Sequence, residues 1–327
     1  MKKVLITGVE KAELLEVETP AAPLASDEVE GRTLFSAISA GTELHSYGRD
    51  GAEKRKYPCE IGYAAVFEVD AVGAEVAGLK AGDVAFTSGR HASRQRVKAS
   101  GAALVPAGLA AEKAVLTRLM GISWSTLITT RARPPARATV TGLGPVGHLA
   151  AQIFAASGYE VLAVDPNPQR REWASAKGLR NVLAAMPVDD PAWRGQLDLV
   201  VECSGHEAAV LDACKMVRKR GEVVLVGVPW ARRTEIYAHE ILYRVFYDFV
   251  DLRSGWEWEV PNLPTDFQMG SRMEIFAAGM RWIADGRIDV DGLCAAVPPG
   301  EAQRAFQDLA RGRSGSLVTL FDWRNER

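Results

Sequence analysis

Three glycines and one acid have the spacing of a dinucleotide site. Gly142, Gly144 and Gly147 follow an apolar run that starts at Thr139, and Asp165 ends the next apolar run 18 residues after the third glycine. The first glycine permits a tight turn, the second lets the backbone approach a pyrophosphate, and the third lets a helix pack closely on a strand. An acid at the end of the second strand accepts hydrogen bonds from ribose hydroxyls and repels a 2′-phosphate. The pattern predicts binding of NAD(H) rather than NADP(H).

Further cofactor contacts follow from the same pattern. A helix that begins after the glycine loop directs backbone N–H groups toward the pyrophosphate. The residues after the acid are expected to border the adenine or the ribose, and Ser204 ends a later strand on the cofactor side. His148 is interpreted as a helix-packing or surface residue. The predicted contacts are Gly142, Gly144, Pro145, Val146, Gly147, Asp165, Pro166, Asn167, Arg170 and Ser204.

The elements that must position these residues alternate between strand and helix from about residue 118. We predict strands at 138–141, 160–165, 197–202 and 222–227, and helices at 145–157, 168–177 and 206–219 with Gly158, Gly178 and Gly221 as stops. Such alternation is typical of an α/β fold with a doubly wound parallel sheet. The first 115 residues instead carry short strand-like runs bounded by turn residues. Beyond 270 we predict an amphipathic helix at 271–285, an apolar run at 293–298, a helix near 300–311 and a strand at 317–321.

Composition narrows the class of protein. A chain of 327 residues with 47% hydrophobic content is long enough for two domains. A formal charge of −2 does not indicate the excess of basic residues that is typical of proteins that bind nucleic acid or an anionic membrane surface. The four cysteines form no C-x-x-C pair, the apolar run after Lys3 is too short for a signal peptide, and no apolar run reaches about 18 residues. We therefore expect a cytoplasmic protein without disulfides that acts on a small-molecule substrate.

Several segments in a fixed order resemble one family over nearly the whole chain. They are Ser36–His45, Ile61–Val69, Gly82–Phe86, the glycine motif, Val200–Gly205, Gly221–Gly227 and the last strand. Together they resemble the medium-chain dehydrogenase/reductase superfamily, the relatives of alcohol dehydrogenase. The resemblance implies a GroES-like catalytic domain (1–118 and 271–327) around a Rossmann domain (119–270), and a homodimer. It also implies that Gly227 and Val228 flank the nicotinamide.

The chain departs from the zinc-dependent members of that family at the metal. Ala40 stands where those members have a cysteine, and Tyr63 stands where they have a histidine. The third ligand would align within 117–120, where no cysteine or acid occurs, and the four-cysteine lobe is missing. Zinc needs three protein ligands at such a site. We therefore expect neither a catalytic nor a structural zinc.

The family resemblance nevertheless retains a proton relay. Thr42 and His45 stand where zinc alcohol dehydrogenases keep a hydroxyl and an imidazole. The alternative interpretation is that Thr42 is a turn residue and His45 is a surface residue. Tyr63, with a lowered pKa, is a candidate general acid or base, or it fills the space of the metal. Glu43, Glu60 and His91 are secondary candidates. His91 is interpreted as a solvated loop residue.

The leading functional prediction is a zinc-independent, NAD-linked oxidoreductase that interconverts an alcohol and a carbonyl, on a sugar, a cyclitol or another bulky substrate. The alternatives are a quinone or enone reductase and a non-catalytic NAD-binding sensor. The aromatic segment 243–258, with Trp124 and Trp230, is expected to pack in the core or between subunits rather than to line a substrate cleft. The cations Arg218 to Arg220 are expected to end a helix.

Overall fold

The computed structural model describes residues 1–18, 22–48, 55–268 and 270–326, which form two compact units. Unit 1 consists of Met1–Arg118, Phe276–Gly286 and Val290–Arg327. Unit 2 consists of Leu119–Ile275 and Arg287–Asp289. The second division therefore falls after Ile275, whereas the sequence placed it after residue 270.

Short strands dominate the first part of unit 1. The strands are β1 (Lys2–Gly8), β2 (Lys11–Glu16), β3 (Glu28–Ala37), β4 (Cys59–Glu60), β5 (Ala65–Val72), β6 (Val84–Thr87), β7 (Arg94–Lys98) and β8 (Ala102–Leu104). The helices are α1 (Ala40–Tyr47), α2 (Ala111–Ala114) and α3 (Thr117–Thr129), which continues into unit 2. β5 is rich in valine with one phenylalanine, and its first residues are buried, as expected of a strand inside a sheet.

Unit 2 contains the predicted parallel sheet. Its strands are β9 (Arg137–Thr141), β10 (Glu160–Val164), β11 (Asn181–Leu183), β12 (Leu197–Glu202), β13 (Val217–Leu225) and β14 (Asp251–Ser254), and the helices between them are α4 (Pro145–Ala156), α5 (Pro168–Ala176), α6 (Glu207–Met216) and α7 (Ala238–Tyr247). The strand order is β11-β10-β9-β12-β13-β14, and every pairing is parallel. The order reverses between β9 and β12, and ligands of such sheets bind at the carboxyl ends of the strands beside this reversal.

One element of unit 2 differs from the prediction. Helix α6 ends at Met216, and the residues from Val217 onward form β13, which pairs with β12. The prediction that Arg218 to Arg220 end a helix, with Gly221 as its stop, was therefore wrong. Arg218 instead lies on the strand, and its Nε donates to Asp198 at 2.6 Å. Strand pairing overrides the local helix signal here, because the run of valines at 223–224 is buried in the sheet.

The last part of the chain completes unit 1. It contains α8 (Arg272–Ala284), which begins in unit 2, and then β15 (Cys294–Val297), α9 (Ala302–Ala310) and β16 (Val318–Asp322). One sheet has the order β15-β16-β3-β5-β6-β8, with β7 also paired to β3, and a second has the order β2-β1-β4. Their shared core includes Phe306, Phe321 and Trp323. Within the described residues, no helix has both the length and the apolar character needed to cross a bilayer.

Candidate functional site

Chain packing in unit 2 requires two of the three motif glycines. Gly142 follows β9 with φ +79°, and a Cβ on it would lie 2.8 Å from the backbone nitrogen of Ser204. Gly147 lies in the first turn of α4, where a Cβ would come within 1.8 Å of the Gly142 carbonyl oxygen. Both positions exclude any side chain, and this brings the helix close to the end of the sheet.

The middle glycine is different, because no contact within the chain requires it. Gly144 is the N-cap of α4 with φ −65°, and a Cβ there would meet only the Nη1 atom of Arg170 at 3.9 Å. No side chain caps the helix, and Pro145 occupies its first turn, so the N–H groups of Val146 and Gly147 point out of the helix start. Open space above a glycine and an uncapped helix N-terminus fit the pyrophosphate of a dinucleotide.

Asp165 lies just beyond β10 and is 2% exposed. Its carboxylate accepts hydrogen bonds from Leu143 N at 2.7 Å, Asn167 N at 2.8 Å and Arg170 Nη1 at 3.3 Å. A carboxylate has about four acceptor positions, so about one remains for a ribose hydroxyl. The Arg170 side chain is 42% exposed, and its positive charge partly offsets the negative charge of Asp165, which would repel a 2′-phosphate on the ribose. Of the neighbouring residues, Asn167 caps α5 through its side chain, and the Pro166 carbonyl accepts from an arginine.

Sequence analysis missed Glu202, a fully buried acid at the end of β12. Its carboxylate accepts from the backbone of Ser204 at 2.7 Å, the backbone of Gly205 at 3.0 Å and the hydroxyl of Thr141 at 3.3 Å. Its backbone carbonyl accepts from Gly227 N at 2.7 Å. Burial raises the pKa of this carboxyl, and the hydrogen bonds partly offset that effect. Glu202 therefore ties together the loops after β9, β12 and β13, and an acid that ends an apolar strand was the signal for it.

These loops also position the residues expected near the nicotinamide. The Val228 carbonyl lies so close to Gly205 that a Cβ on this glycine would be 2.7 Å from it. Val228 itself is 49% exposed and follows the Gly227 turn directly. The predicted cofactor residues of unit 2 thus lie on the loops at the carboxyl ends of β9, β10, β12 and β13.

In unit 1, a group of hydroxyls surrounds Tyr63. The Tyr63 hydroxyl donates to Ser39 Oγ and is also hydrogen-bonded to Thr42. The Arg118 guanidinium carbon lies 4.4 Å from the centroid of the Tyr63 ring. Burial raises the pKa of Tyr63, and Arg118 and the hydroxyls only partly offset this. The expectation of a lowered pKa was therefore wrong, because burial of the phenol outweighs the nearby cation. Tyr63 is a neutral hydrogen-bond donor.

A buried acid–imidazole pair lies next to this group. One Glu43 carboxylate oxygen accepts from Ser39 N at 2.9 Å, and the other lies 2.9 Å from His91 Nε2. His91 Nδ1 lies 2.7 Å from Ser36 Oγ, which also accepts from the indole of Trp323 at 2.8 Å. With the proton on His91 Nε2, each group in the chain from the indole to the carboxylate donates to the next.

The interpretation of His91 as a solvated loop residue was wrong. The side chain is 0% exposed, although the loop before β7 has no regular structure. Its backbone oxygen accepts from Val4 N at 2.9 Å, and its ring meets Phe321 edge-on at 5.0 Å. β1 and β16 therefore cover the loop on both sides.

The other candidates occupy separate places. Thr42 is exposed on the first turn of α1, and His45 is half-buried three residues later on the same helix. Glu60 is exposed on β4. His148 is fully buried in α4, and neither ring nitrogen has a hydrogen-bond partner. Burial, and to a lesser extent the charge of Lys177, lowers its pKa to about 4, so His148 packs as a neutral ring.

The positions expected for metal ligands carry other side chains. Ala40 begins α1, Tyr63 belongs to the cluster of hydroxyls, and Arg118 lies within 117–120, where the resemblance places the third ligand. Among the residues that the structure describes, no three His, Cys, Asp or Glu side chains come together as a metal site. The four cysteines are free thiols.

The aromatic segment is exposed rather than packed in the core of unit 2. Phe246, Tyr247, Trp256 and Trp258 are each more than half exposed. The two tryptophan rings meet edge-on at 6.4 Å. Core packing, one of the expectations for this segment, was therefore wrong, because these side chains face solvent and β14 is an edge strand of the sheet. Trp124, in contrast, is buried.

Comparison with known proteins gives consistent matches. The family model described as zinc-binding dehydrogenase matches residues 145–246. The chain is 31% identical over 150 residues to the 2-dehydro-3-deoxy-L-galactonate 5-dehydrogenase of Pseudoalteromonas atlantica, a match that spans 43% of each chain. It is 27% identical over 258 residues to an alcohol dehydrogenase of Geobacillus stearothermophilus, which covers 65% of this chain and 77% of that protein.

Solved structures agree in fold. Galactitol-1-phosphate dehydrogenase from Escherichia coli superposes with a TM-score of 0.82 at 17% identity, over 98% of this chain and 100% of that one. The alcohol dehydrogenase of Thermus sp. ATN1 superposes with a TM-score of 0.77 at 22% identity, over 98% and 99%. These matches confirm the predicted combination of a GroES-like β-rich unit and a Rossmann unit. The chain is therefore similar to zinc-type alcohol dehydrogenases in the matched segment and in fold, and it has Ala40 and Tyr63 where that resemblance places zinc ligands.

Proposed function

We propose that this protein is an NAD(H)-dependent oxidoreductase that interconverts an alcohol and a carbonyl without zinc. The observation that carries the proposal is Gly144. Its backbone conformation is open to any residue and the space above it is empty of chain atoms, so a ligand best explains the glycine. The uncapped start of α4 favours an anionic ligand, and Asp165 follows the next strand as a ribose partner.

A bound nicotinamide supplies or accepts the hydride. The residues of unit 1 handle the oxygen and its proton. Tyr63, kept neutral by burial, turns its one hydroxyl hydrogen from Ser39 to the reacting oxygen when the substrate binds. Thr42 is hydrogen-bonded to Tyr63, and His45 on the next turn of α1 exchanges the proton with solvent. This assignment uses hydroxyls where zinc-dependent relatives use a metal.

Relatives support a polyhydroxylated substrate, such as a sugar acid or a polyol. Besides the galactonate derivative dehydrogenase, the chain is 26% identical to a sorbitol dehydrogenase of Bacillus subtilis over 257 residues. It is also 26% identical to the L-galactonate-5-dehydrogenase of Escherichia coli over 241 residues. We propose NAD over NADP because the Asp165 carboxylate would face a 2′-phosphate at the ribose.

We further propose a cytoplasmic homodimer. β14 is the edge strand of the parallel sheet, and exposed aromatic residues lie on α7 and directly after β14. Exposed edges and apolar patches of this kind are usually covered in the assembled protein. Free cysteines favour a reducing compartment.

The cofactor site is tested with Gly144→Ala. The added methyl group meets no chain atom closer than 3.9 Å, so the thermal midpoint should stay close to that of the unmodified protein. It projects into the space assigned to the pyrophosphate, so NADH affinity measured by calorimetry should fall at least about tenfold, a loss of about 1.4 kcal/mol. Gly300→Ala is the matched control, because a Cβ on this glycine meets nothing within 4 Å. Equal NADH affinity in both variants would contradict the site.

The reaction is tested by following NADH formation with a panel of sugar acids, polyols and simple alcohols, before and after dialysis against a chelator. We expect turnover on a polyhydroxylated alcohol that survives the chelator. Turnover that is lost with the chelator and restored by zinc would refute zinc independence. Reduction of quinones alone would identify a different reaction. NADH binding without turnover on any compound would favour a sensor.

A further inference from the structure

Unit 1 fixes a permanent positive charge beside Tyr63. Arg118 is 6% exposed, and its guanidinium carbon lies 4.4 Å from the Tyr63 ring centroid and 5.6 Å from that of Phe276. Arginine does not lose its proton in proteins, so the charge persists at every working pH. Burial of a cation is costly, and a fold keeps one only with compensation from its surroundings. The two rings supply part of that compensation.

The position of this cation is rigid. The Thr117 hydroxyl donates to the Phe276 carbonyl at 2.6 Å, which anchors the first turn of α3 where Arg118 lies. On the other side, the Tyr63 hydroxyl is held by Ser39, and Ser39 N donates to the buried Glu43 at 2.9 Å. A preorganised charge costs no reorganisation when a substrate reacts, which is the condition for strong electrostatic stabilisation.

Access to the group is through the phenol. Tyr63 is only partly buried, and Thr42 beside it is exposed. A small molecule that hydrogen-bonds to the Tyr63 hydroxyl would lie near the guanidinium that stacks on the same ring. Hydride transfer to a carbonyl places negative charge on oxygen, and zinc-dependent enzymes stabilise that charge with the metal.

We infer that Arg118 is a catalytic residue: its guanidinium, together with the Tyr63 hydroxyl, stabilises the negative charge on the reacting oxygen in place of a metal ion. This inference rests on the proposed function. In the reductive direction, a bound reduced nicotinamide would supply the hydride to the carbonyl carbon, and the π electron pair would move to the carbonyl oxygen. That oxygen takes the proton of the Tyr63 hydroxyl, and solvent restores the proton through Thr42. The nicotinamide is oxidised, the carbonyl is reduced, and the reverse sequence oxidises the alcohol.

The experiment compares three variants at this position. Arg118→Lys keeps a charge, Arg118→Met keeps the length without charge, and Arg118→Ala leaves room for an added guanidinium ion. Arg32→Met is the matched control, because it removes the same charge from a side chain that is 60% exposed. Thermal midpoints and NADH affinity, a property of unit 2, establish that each variant is folded.

The variants are assayed with the alcohol that the unmodified protein oxidises in the substrate panel. Arg118→Met should lower kcat for this alcohol about 100- to 1,000-fold, with KM changed less than about threefold. Arg118→Lys should stay at least about tenfold more active than Arg118→Met, because it retains a point charge. Guanidinium chloride at millimolar concentration should restore activity to Arg118→Ala but not to Arg118→Met, where the space is filled. A folded Arg118→Met with kcat within about threefold of the unmodified protein would overturn the inference, as would equal activity of the Lys and Met variants.

A binding measurement keeps the test independent of turnover. Acetate carries the negative charge expected on the oxygen, and it is titrated by calorimetry into protein saturated with NAD. Arg118→Met should bind acetate at least about tenfold more weakly than the unmodified protein and Arg32→Met. If no alcohol turns over but acetate binding depends on Arg118, the proposed function fails and the anion site stands. If acetate binds equally to all variants, the assignment of Arg118 fails.

Discussion

His148 makes unit 2 sensitive to acid. The side chain is 0% exposed in α4, and its two ring nitrogens have no hydrogen-bond partner. The charged groups that act on it are Lys177, which disfavours its protonation, and Asp289, which favours it. Burial outweighs both and lowers the pKa of His148 from 6.5 to about 4. The native protein therefore holds a neutral ring at pH values where the unfolded chain is already protonated.

The magnitude follows from proton linkage. Because the folded pKa is the lower one, the stability is fully present above pH 6.5 and is lost as the pH falls toward 4. The difference between 6.5 and about 4, at 1.36 kcal/mol per unit of pH, corresponds to about 3.4 kcal/mol at most. By the same relation, protonation of the unfolded chain removes about 2 kcal/mol at pH 5 and about 3 kcal/mol at pH 4.

The assay is urea unfolding of the protein and of His148→Leu at pH 7.5 and pH 5.0. Leucine has a similar volume and no buried nitrogen to satisfy, so at pH 7.5 the variant should be as stable as the unmodified protein or about 1 kcal/mol more stable. Between the two pH values the unmodified protein should lose about 2 kcal/mol more than the variant. All other titrating groups are common to both proteins, so the subtraction isolates His148.

An exposed histidine on α7 provides the control. His239→Gln removes an exposed imidazole from the surface and should leave the stability difference between pH 7.5 and pH 5.0 unchanged. Parallel loss of stability in the unmodified protein and in His148→Leu would refute the reasoning. It would show that the ring is satisfied or solvated in the native protein.

Three other results are expected. Glu202→Gln should weaken NADH binding about tenfold in calorimetry, because an amide cannot accept all the hydrogen bonds that the carboxylate accepts from Ser204, Gly205 and Thr141; unchanged affinity would show that the loop after β12 holds without the carboxylate. Arg170→Met should weaken NADPH binding at least about fivefold more than NADH binding in fluorescence titrations, since Arg170 offsets the acid at the ribose, and an equal effect on both cofactors would contradict this role. His91→Leu should lower the free energy of unfolding in urea by about 3 kcal/mol, because Glu43 stays buried without its partner. The double variant His91→Leu/Glu43→Gln should recover part of that loss, and no recovery would show that the two residues are not coupled.

The features predicted correctly from the sequence are those encoded by adjacent residues. The parallel sheet follows from alternating apolar runs, and the sharp turn at Gly142 follows from the spacing of the motif. Length and local spacing constrain such elements strongly, because strand, turn and helix share one short stretch of chain. Arg218 was misassigned for the opposite reason, since a short mixed run fits a helix end or a strand equally well until its partner strand is known.

Unit 1 was less predictable, because its contacts join distant segments. Glu43 and His91 are 48 residues apart, and nothing near either one indicates the other. Arg118 and Tyr63 meet through the packing of α3 and a loop of unit 1, and they are 55 positions apart in the sequence, so neither residue indicates the other. The raised pKa of Tyr63 depends on burial, a property of the assembled unit rather than of its sequence neighbours.

The pairing of β16 with β3 can form only late in translation, after unit 2 has been synthesised. Trp323 lies 287 residues after Ser36, its hydrogen-bond acceptor, and all of unit 2 is translated between them. Unit 2 can therefore fold on the ribosome while residues 35–37 of β3 still lack their neighbour. A nascent chain arrested before Val318 carries a finished unit 2 and an unpaired edge at β3, which is a template for wrong pairing. The hydrogen-bond chain through His91 is thus among the last parts of the protein to form.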